Sequence, residues 1–475
     1  MKQKLTKSDF LMYLDSPMHL WAFKNNCFDT SKTEYELHLI KQGYEVEKYA
    51  KQYLELVISN MPECKLIWQN TYDDENYQLK IDALVFNSKN QSYDLYEIKS
   101  STKVKPEHYN DVTFQFLVLS ELLPIDKVYV LHLKKDYIRK GSLDISQLFV
   151  ASDVTEKVFE LKESIDSKRR DALALLQQKT PEGLPPCLKP SECPCLELCH
   201  PVLPDFSIHD VPRLNSAKKE LLRNNNILDV KDIPDDFPLS ENQSIIVSAA
   251  KKGTPSISIE KLSKELNKLT FPLYFLDYET FNSALPLFDG YNPQQQIVFQ
   301  YSLHVLESFE EAVKHYEYLA LDKNDPGVGL IESLKKHIGP TGSILVWNKT
   351  FEESRNKEMA NRYPQHADFL NSINNRIYDL ANPVNKGIYV HPGFKGSWSI
   401  KNVLPVLVPN LTYKTLEIQK GDEAMHAWWK LTHGNSNENS SQEQRTLAQS
   451  LLDYCKLDTL AMVEIWKKFN DVQNG

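Results

Sequence analysis

The sequence predicts an α/β protein of two strand-and-helix units separated by a short helical stretch. Three observations carry that expectation. Helical apolar periodicity alternates with strand-like runs along the chain; the Pro- and Asn-broken segment 206–265 interrupts the pattern; and an apolar strand, PLYFLDYETF, opens a second round of it. At 475 residues the chain has room for two or three domains, each with its own core. Its 41% apolar, 11% aromatic and 25% charged residues exclude a disordered, collagenous or coiled-coil chain.

Taken in order, residues 1–60 read as helices, with periodic apolar positions in LTKSDFLMYL and again in YELHLIKQGYEVEKYAKQYLELVI. Residues 65–99 alternate like strands, DVTFQFLVLSELL returns to helical spacing, KVYVLHL is a strand, and 152–178 form a long helix. A Pro- and Cys-rich stretch, 181–205, closes this unit. The segment 206–265 reads as a small helical connector. The second unit follows, and its polar patch NSNENSSQEQ, 435–444, reads as a solvent loop. The expected boundaries are 1–205, 206–265 and 266–475.

Lys and Arg total 55 against 64 Asp and Glu, a net charge of −9. With no bulk basic footprint, a nucleic-acid partner must be held by a local patch or through metal ions. The opening MKQKLTKSDFLMYL has neither an apolar core nor a small-residue cleavage site, and no stretch approaches a membrane span. The chain therefore reads as cytoplasmic, with no membrane partner. Four of its seven cysteines crowd into 187–199, a local thiol cluster rather than a disulfide framework.

The first candidate site lies on two strands, KIDALVF (80–86) and YDLYEIK (93–99). If they form a hairpin centred on the loop 87–92, Asp82 falls opposite Glu97, while Glu97 and Lys99 share a face by the period of two. Two close carboxylates call for a divalent cation, and the lysine can orient or deprotonate a water for attack on a phosphodiester. The same triplet fits a solvated strand face. Three neighbours favour the site: Glu47 on a preceding helix, Gln115 on the next, and the basic tract KSSTKVK.

The cysteine stretch PPCLKPSECPCLELCHP places Cys187, Cys193, Cys195 and Cys199 close enough to hold Zn²⁺ or an iron–sulfur cluster, or to be buried thiols without a metal. The third constellation is dispersed. Asp277 and Glu279 point the same way from one strand; SILVWN ends at Asn348 before a helix bearing Glu352; Tyr454 and Asp458 are i,i+4 neighbours on a late helix. Converging acids of this kind suit two divalent ions that clamp a phosphoryl displacement, with the tyrosine hydroxyl orienting the water. Asp379 is a fallback acid. In GSWSIKNVLP, Ser397 and Lys401 fit either substrate-backbone contacts or a capped helix start.

The order EVEKYA, Asp82, EIKSSTKVK, FQFLVL and a closing cysteine cluster resembles RecB-type PD-(D/E)xK nucleases, including CRISPR-associated 5′ exonucleases, over about residues 1–200. The resemblance implies a restriction-endonuclease-like fold in which Asp82 and Glu97 bind Mg²⁺ or Mn²⁺, Lys99 serves the water, Glu47 assists and Gln115 contacts substrate. It also implies that Cys187, Cys193 and Cys199 join an N-terminal cysteine around a [4Fe–4S] cluster. Ser16 stands where that cysteine is expected, with Cys195 or Cys27 as substitutes. The later acids resemble the DEDD family of 3′→5′ exonucleases on a ribonuclease H-like fold, in the subgroup with a tyrosine in its last motif. Glu352 stands where that family has Asp. Together with QQQIVFQYSLH, VWNKTFEESRNKEMA and YCKLDTLAM, the whole chain is similar to an uncharacterised bacterial family in which a RecB-like nuclease precedes an exonuclease-type domain of unknown function.

The expectation is a metal-dependent nuclease with two active sites, exonucleolytic, acting on DNA rather than RNA, in a setting such as DNA repair or antiphage defence. With 46 Lys and 9 Arg, phosphate contacts outweigh bidentate base readout, so little base specificity is expected. The alternative is a nucleic-acid-binding or scaffold protein with one or both sites inactive; Ser16 and Glu352 favour it. A third reading leaves only the C-terminal site active.

Overall fold

The structure, a computed structural model, describes residues 3–434 and 441–474. It is a mixed α/β protein that divides into two compact units, Met1–Val202 with Ser283–Gln295 and Leu203–Asn282 with Gln296–Gly475.

In the first unit a short strand β1 (Leu5–Thr6) leads into α1 (Lys7–Asp15), α2 (Pro17–Lys24) and α3 (Glu34–Ile58). Each start is fixed by its sequence. Thr6 and Asp9 form a reciprocal capping box, Ser16 caps α2 ahead of Pro17, and Thr33 pairs with Glu36. Strands β2 (Cys64–Trp68), β3 (Thr71–Asp73), β4 (Tyr77–Lys80), β5 (Ala83–Asn87) and β6 (Ser92–Lys99) precede α4 (Pro106–Leu119) and β7 (Ile125–Leu133). Then come α5 (Ile145–Leu148), β8 (Phe149–Asp153), α6 (Thr155–Leu175) and α7 (Leu196–Cys199). The stretch 149–153, read from sequence partly as helix, is thus an edge strand.

Five of these strands form one sheet in the order β2-β5-β6-β7-β8, with β6 and β7 parallel and the other pairs antiparallel; β1, β4 and β3 form a small separate sheet. The β5–β6 ladder pairs Ala83 with Tyr96 and Asn87 with Ser92, the register that the midpoint of the loop predicts. The segment 283–295 belongs to this unit: Ala284 and Leu285 join the core around Val46 and Leu131, and Arg139 donates to the Pro286 and Leu287 carbonyls.

The second unit begins with α8 (Ser216–Asn224), α9 (Glu241–Lys252), β9 (Ser256–Ile257) and α10 (Ile259–Leu266). The expected connector, 206–265, therefore lies inside this unit. Its apolar residues Ile208, Val211, Leu222 and Val247 form a small core of their own, and β9 pairs with the later strand β15 (Tyr389–Val390). The main sheet uses β10 (Leu273–Asn282), β11 (Gln296–Leu306), β12 (Lys314–Leu319), β13 (Ser343–Val346) and β14 (Ile377–Asp379) in the order β12-β11-β10-β13-β14. The first three run antiparallel; β13 and β14 add parallel to β10.

The helices of this unit are α11 (Gly327–Lys335), α12 (Lys349–Arg362), α13 (Ala367–Asn375), α14 (Asn382–Asn385), α15 (Ile400–Leu407), α16 (Gly421–His433) and α17 (Ser441–Asn474). Both faces of β10 are covered, which explains its nearly continuous apolar run. Tyr274, Leu276 and Tyr278 enter the core with Leu330 and Met359, while Phe275 meets Trp466 of α17 edge-on. Of the expected solvent loop, 441–444 instead begin α17, and 435–440 lie outside the described residues.

Trp428 of α16 is fully buried, stacks on Phe299 at 4.8 Å and donates its indole N–H to the Ala320 carbonyl. Trp428→Ala removes both contacts and is expected to cost about 3–5 kcal/mol of the second unit's stability, read from denaturant unfolding. A cost below about 1 kcal/mol would mean that α16 does not hold the sheet.

Candidate functional site

In the second unit the strand period decides the geometry. Phe275 and Asp277 face α17, while Tyr278 turns to the opposite side and donates its hydroxyl to Asn356 of α12. Glu279 pairs with Gln300, whose amide reaches the Leu451 carbonyl of α17, so this acid also faces that helix. A register shift between Glu279 and Thr280 ends the regular ladder there. Tyr454, Cys455 and Asp458 come down from α17. Cys455 Sγ lies 3.6 Å from Asp277 Oδ2, and one donor atom from each of Asp277, Glu279 and Cys455 lies within 4.8 Å of the others. Tyr413 donates to Asp458 Oδ1 at 2.5 Å, and Lys401 Nζ donates to the Tyr454 hydroxyl at 3.2 Å.

Glu352, on the first turn of α12, is buried, and its Oε2 has no hydrogen-bond partner among the described residues. Its helix starts where Asn348 takes φ 100°, outside the usual range for a side-chain-bearing residue. Asp379 holds that turn by accepting from the backbone N–H groups of Asn348, Lys349 and Ala381, so the fallback acid is a loop anchor.

Burial and mutual repulsion set the protonation of these groups. Burial first, then the Asp458 charge, pushes Asp277 well above the usual carboxylate range; burial and Asp277 do the same to Glu279 and Glu352. Asp458 is raised by burial to about 6, with the Tyr413 hydrogen bond and the Lys401 charge opposing. Asp277 alone of the four keeps appreciable contact with solvent.

The first unit assembles a tighter charge cage. Glu97 is buried. Its Oε1 accepts from Lys7 and Lys99, each at 2.7 Å, and its Oε2 accepts from the Gln115 amide at 2.7 Å. Asp111 joins from α4, accepting from Lys99 at 2.7 Å and from Gln115 at 2.8 Å. Asp82 sits just ahead of β5 and accepts the Ile98 backbone N–H at 2.8 Å. Burial, then the Glu97 charge, raises Asp82 to about 8. Burial also pushes Glu97 up, but Lys7 and Lys99 outweigh it and hold Glu97 well below the carboxylate range. Glu47 is bonded to the Gln69 amide and lines, with Lys7, Lys80 and Asp82, a cleft of about 610 Å³.

The third group is the thiol cluster. Donor atoms of His19, Cys193, Cys195 and Cys199 all lie within 4.8 Å of one another. His19 Nε2 is 3.3 Å from Cys193 Sγ, and its Nδ1 is 2.5 Å from Asp15 Oδ2, the carboxylate–histidine pairing that orients metal-bound imidazoles. Cys187 packs beside them with its Sγ 3.4 Å from His200 Nε2. Burial raises the Cys187 and Cys195 thiols to about 11 and Cys199 to about 12. Ser16 is a helix cap, its Oγ accepting from the Met18 N–H, and Cys27 is exposed outside the cluster.

Of the residues chosen from sequence, Asp82, Glu97, Lys99 and Gln115 meet in one unit, and Asp277, Glu279, Glu352, Tyr454 and Asp458 in the other. Lys401 reaches the second group, but Ser397 does not: its Oγ accepts from the Ser399 N–H beside a separate pocket that includes Trp398. Sequence reasoning missed Lys7, Asp111, His19, Tyr413 and Cys455. Asp111 was accessible as the i−4 neighbour of Gln115. His19 lies one helical turn beyond Ser16, and Cys455 directly follows Tyr454; Lys7 and Tyr413 carry no local signal.

Residues 274–399 match a family model described as a domain of unknown function (DUF2779). The chain is 28% identical over 222 residues to the uncharacterized protein MG366 of Mycoplasma genitalium, covering 43% of this chain and 33% of that protein. It is 28% identical over 218 residues to the uncharacterized protein UU173 of Ureaplasma parvum, covering 42% and 31%, and 29% identical over 224 residues to the MG366 homolog of Mycoplasma pneumoniae, covering 43% and 33%. The alignments thus span about a third of the length of these curated relatives. No solved structure matches the chain. No helix among the described residues is long and apolar enough to cross a membrane.

A carboxyl that keeps its proton in the fold contributes stability below its ordinary pKa, and that contribution is lost as pH rises through the folded value. For Asp82 the window runs from the ordinary 3.8 to about 8. The thermal midpoint of metal-free protein is expected to fall as pH rises between about 5 and 9, and to fall less steeply in Asp82→Asn. Parallel slopes for the two proteins would contradict the assignment.

Proposed function

We propose that the chain is a metal-dependent nuclease whose principal active centre is the acid cluster of the second unit, with a second centre of PD-(D/E)xK type in the first. The observation that carries this reading is the meeting of Asp277 and Glu279 of β10 with Asp458 of α17 beside Tyr454, and with Glu352 of α12 close enough to Asp277 to feel its charge. Support comes also from the strand order β12-β11-β10-β13-β14, three antiparallel strands extended by two parallel ones, which suits a ribonuclease H-like sheet. The carboxylates of Asp277, Glu279, Glu352 and Asp458 supply the oxygen donors that suit a hard divalent cation, and one Glu352 oxygen has no hydrogen-bond partner among the described residues.

Asp277, Glu279 and Asp458 would hold Mg²⁺ or Mn²⁺, as would Asp82 and Glu97 in the first unit. The bound ion supplies Lewis acidity to the phosphodiester and acidifies its water. The chain's own residues do the positioning. Lys401 donates to the Tyr454 hydroxyl, which leaves that hydroxyl's proton free to orient an attacking water, and Tyr413 fixes the rotamer of Asp458. Because these acids are pushed toward their protonated forms, cation binding displaces protons and strengthens as pH rises. In the first unit the Lys99 ammonium would orient the water, with Lys7 beside it.

A specific observation favours a second reading of the first unit. Both Glu97 oxygens are already taken by Lys7, Lys99 and Gln115, so this unit grips nucleic acid and the second one cuts. Degradation of labelled single- and double-stranded DNA and RNA with Mg²⁺ or Mn²⁺ separates the readings. Asp277→Ala is expected to lower cutting by about 100-fold or more. If both centres cut, Lys99→Ala removes part of the activity; if the first unit only grips, it weakens binding and leaves the chemical step intact. A parent protein inert on every substrate with both metals would reject the enzyme and leave the binding or scaffold reading.

The thiol cluster is proposed as a structural metal site. His19, Cys193, Cys195 and Cys199 fit the Cys₃His set of Zn²⁺; Cys187 in place of His19 would give the four thiolates of a [4Fe–4S] cluster. Metal analysis of anaerobically purified protein is expected to find zinc, lowered by about one equivalent per chain in His19→Ala. Iron with visible absorbance, unaffected by His19→Ala, would instead select the iron–sulfur cluster.

A further inference from the structure

The acid centre of the second unit contains a group that a magnesium enzyme does not need. Cys455 is fully buried, its Sγ lies 3.6 Å from Asp277 Oδ2, and with Asp277 and Glu279 it forms a set of donors within 4.8 Å of one another. Its thiol faces both the main-chain carbonyl of Asp277, at 4.0 Å, and the carboxylate of that residue. Glu352, close enough to Asp277 to feel its charge, has a buried oxygen with no hydrogen-bond partner among the described residues.

Ligand chemistry then separates cations. Mg²⁺ takes oxygen ligands and gains nothing from a sulfur, whereas Zn²⁺ binds thiolate, carboxylate and imidazole with short bonds and a tetrahedral preference. One thiolate and two carboxylates make three protein ligands, the number typical of a zinc site that keeps an open position.

We propose that Cys455, Asp277 and Glu279 form a selective site for a thiophilic divalent cation of the Zn²⁺ class, and that its occupation shuts the centre against Mg²⁺- or Mn²⁺-supported chemistry. This rests on reading the cluster as a divalent-cation centre. In the binding step a Zn–S bond forms, the Cys455 S–H bond breaks, and its proton passes to solvent with those held by the Asp277 and Glu279 carboxyls; nothing is oxidised or reduced. Of the three ligands Asp277 alone is only partly buried. Affinity for first-row divalent ions rises from Mn²⁺ toward Zn²⁺, so trace zinc competes against a large excess of the working metal. Cys455 thereby sets the response of the enzyme to free zinc.

Zinc binding to the full-length protein tests this without any need for catalysis. Zn²⁺ affinity is measured by competition with a chromogenic chelator for the parent, Cys455→Ser and Cys455→Ala, and Mn²⁺ affinity by the loss of its paramagnetic resonance signal. The thiol cluster of the first unit is common to all three proteins, so differences report on Cys455. Expected is a loss in affinity for one zinc equivalent of at least about 10–100-fold in both variants, the range seen even for partners outside the ligand shell, with Mn²⁺ binding retained. Equal zinc affinities in the three proteins, or Mn²⁺ and Zn²⁺ binding lost together, would overturn the proposal. If the parent binds zinc through Cys455 yet cuts no nucleic acid, the site stands and the nuclease reading falls.

Discussion

Repulsion among buried carboxylates is the constraint around which the second unit is arranged. Two unit charges 4 Å apart repel by about 4 kcal/mol at an effective dielectric of about 20, so several ionised acids in one pocket would consume the margin of about 5–15 kcal/mol by which a domain is folded. Asp277, Glu279, Glu352 and Asp458 are nonetheless brought together, with Lys401 as the cation acting on three of them. The fold tolerates this by shifting the acids toward their protonated forms, at the expense of stability as pH rises, and a divalent cation would relieve the same repulsion. Such an arrangement is a poor way to build a core and a good way to bind metal.

The first unit solves the same problem differently. There Lys7 and Lys99 lie against Glu97, and the charge is compensated inside the protein. Glu97 is held ionised while Asp82, which shares its environment but not its lysines, is pushed toward the protonated form. A cation entering this cage must displace or share with an ammonium; one entering the acid cluster of the second unit need not. That contrast is why we propose the second unit as the principal centre.

Much of this was legible in the sequence, for identifiable reasons. The β5–β6 register follows from the position of the loop between two alternating runs, and the common face of Asp277 and Glu279 from the strand period. Tyr454 and Asp458 meet because they are i,i+4 on one helix. Lys7 and Tyr413 were illegible because they reach their sites only through tertiary packing. His19 was hidden by attention to Ser16: the serine caps the helix, and the residue one turn later carries the donor. The 206–265 segment looked like a connector because its helices are short, whereas its residues close a small core and pair through β9 with a strand over a hundred residues away.

The most direct measurement is an anomalous-diffraction map of crystals grown with Mn²⁺ and a short single-stranded oligonucleotide. Expected is anomalous density among Asp277, Glu279 and Asp458 with a phosphate of the strand beside it. Clear density for these side chains with no anomalous signal at saturating Mn²⁺, and no strand bound, would contradict the central claim that the buried acids exist to hold metal.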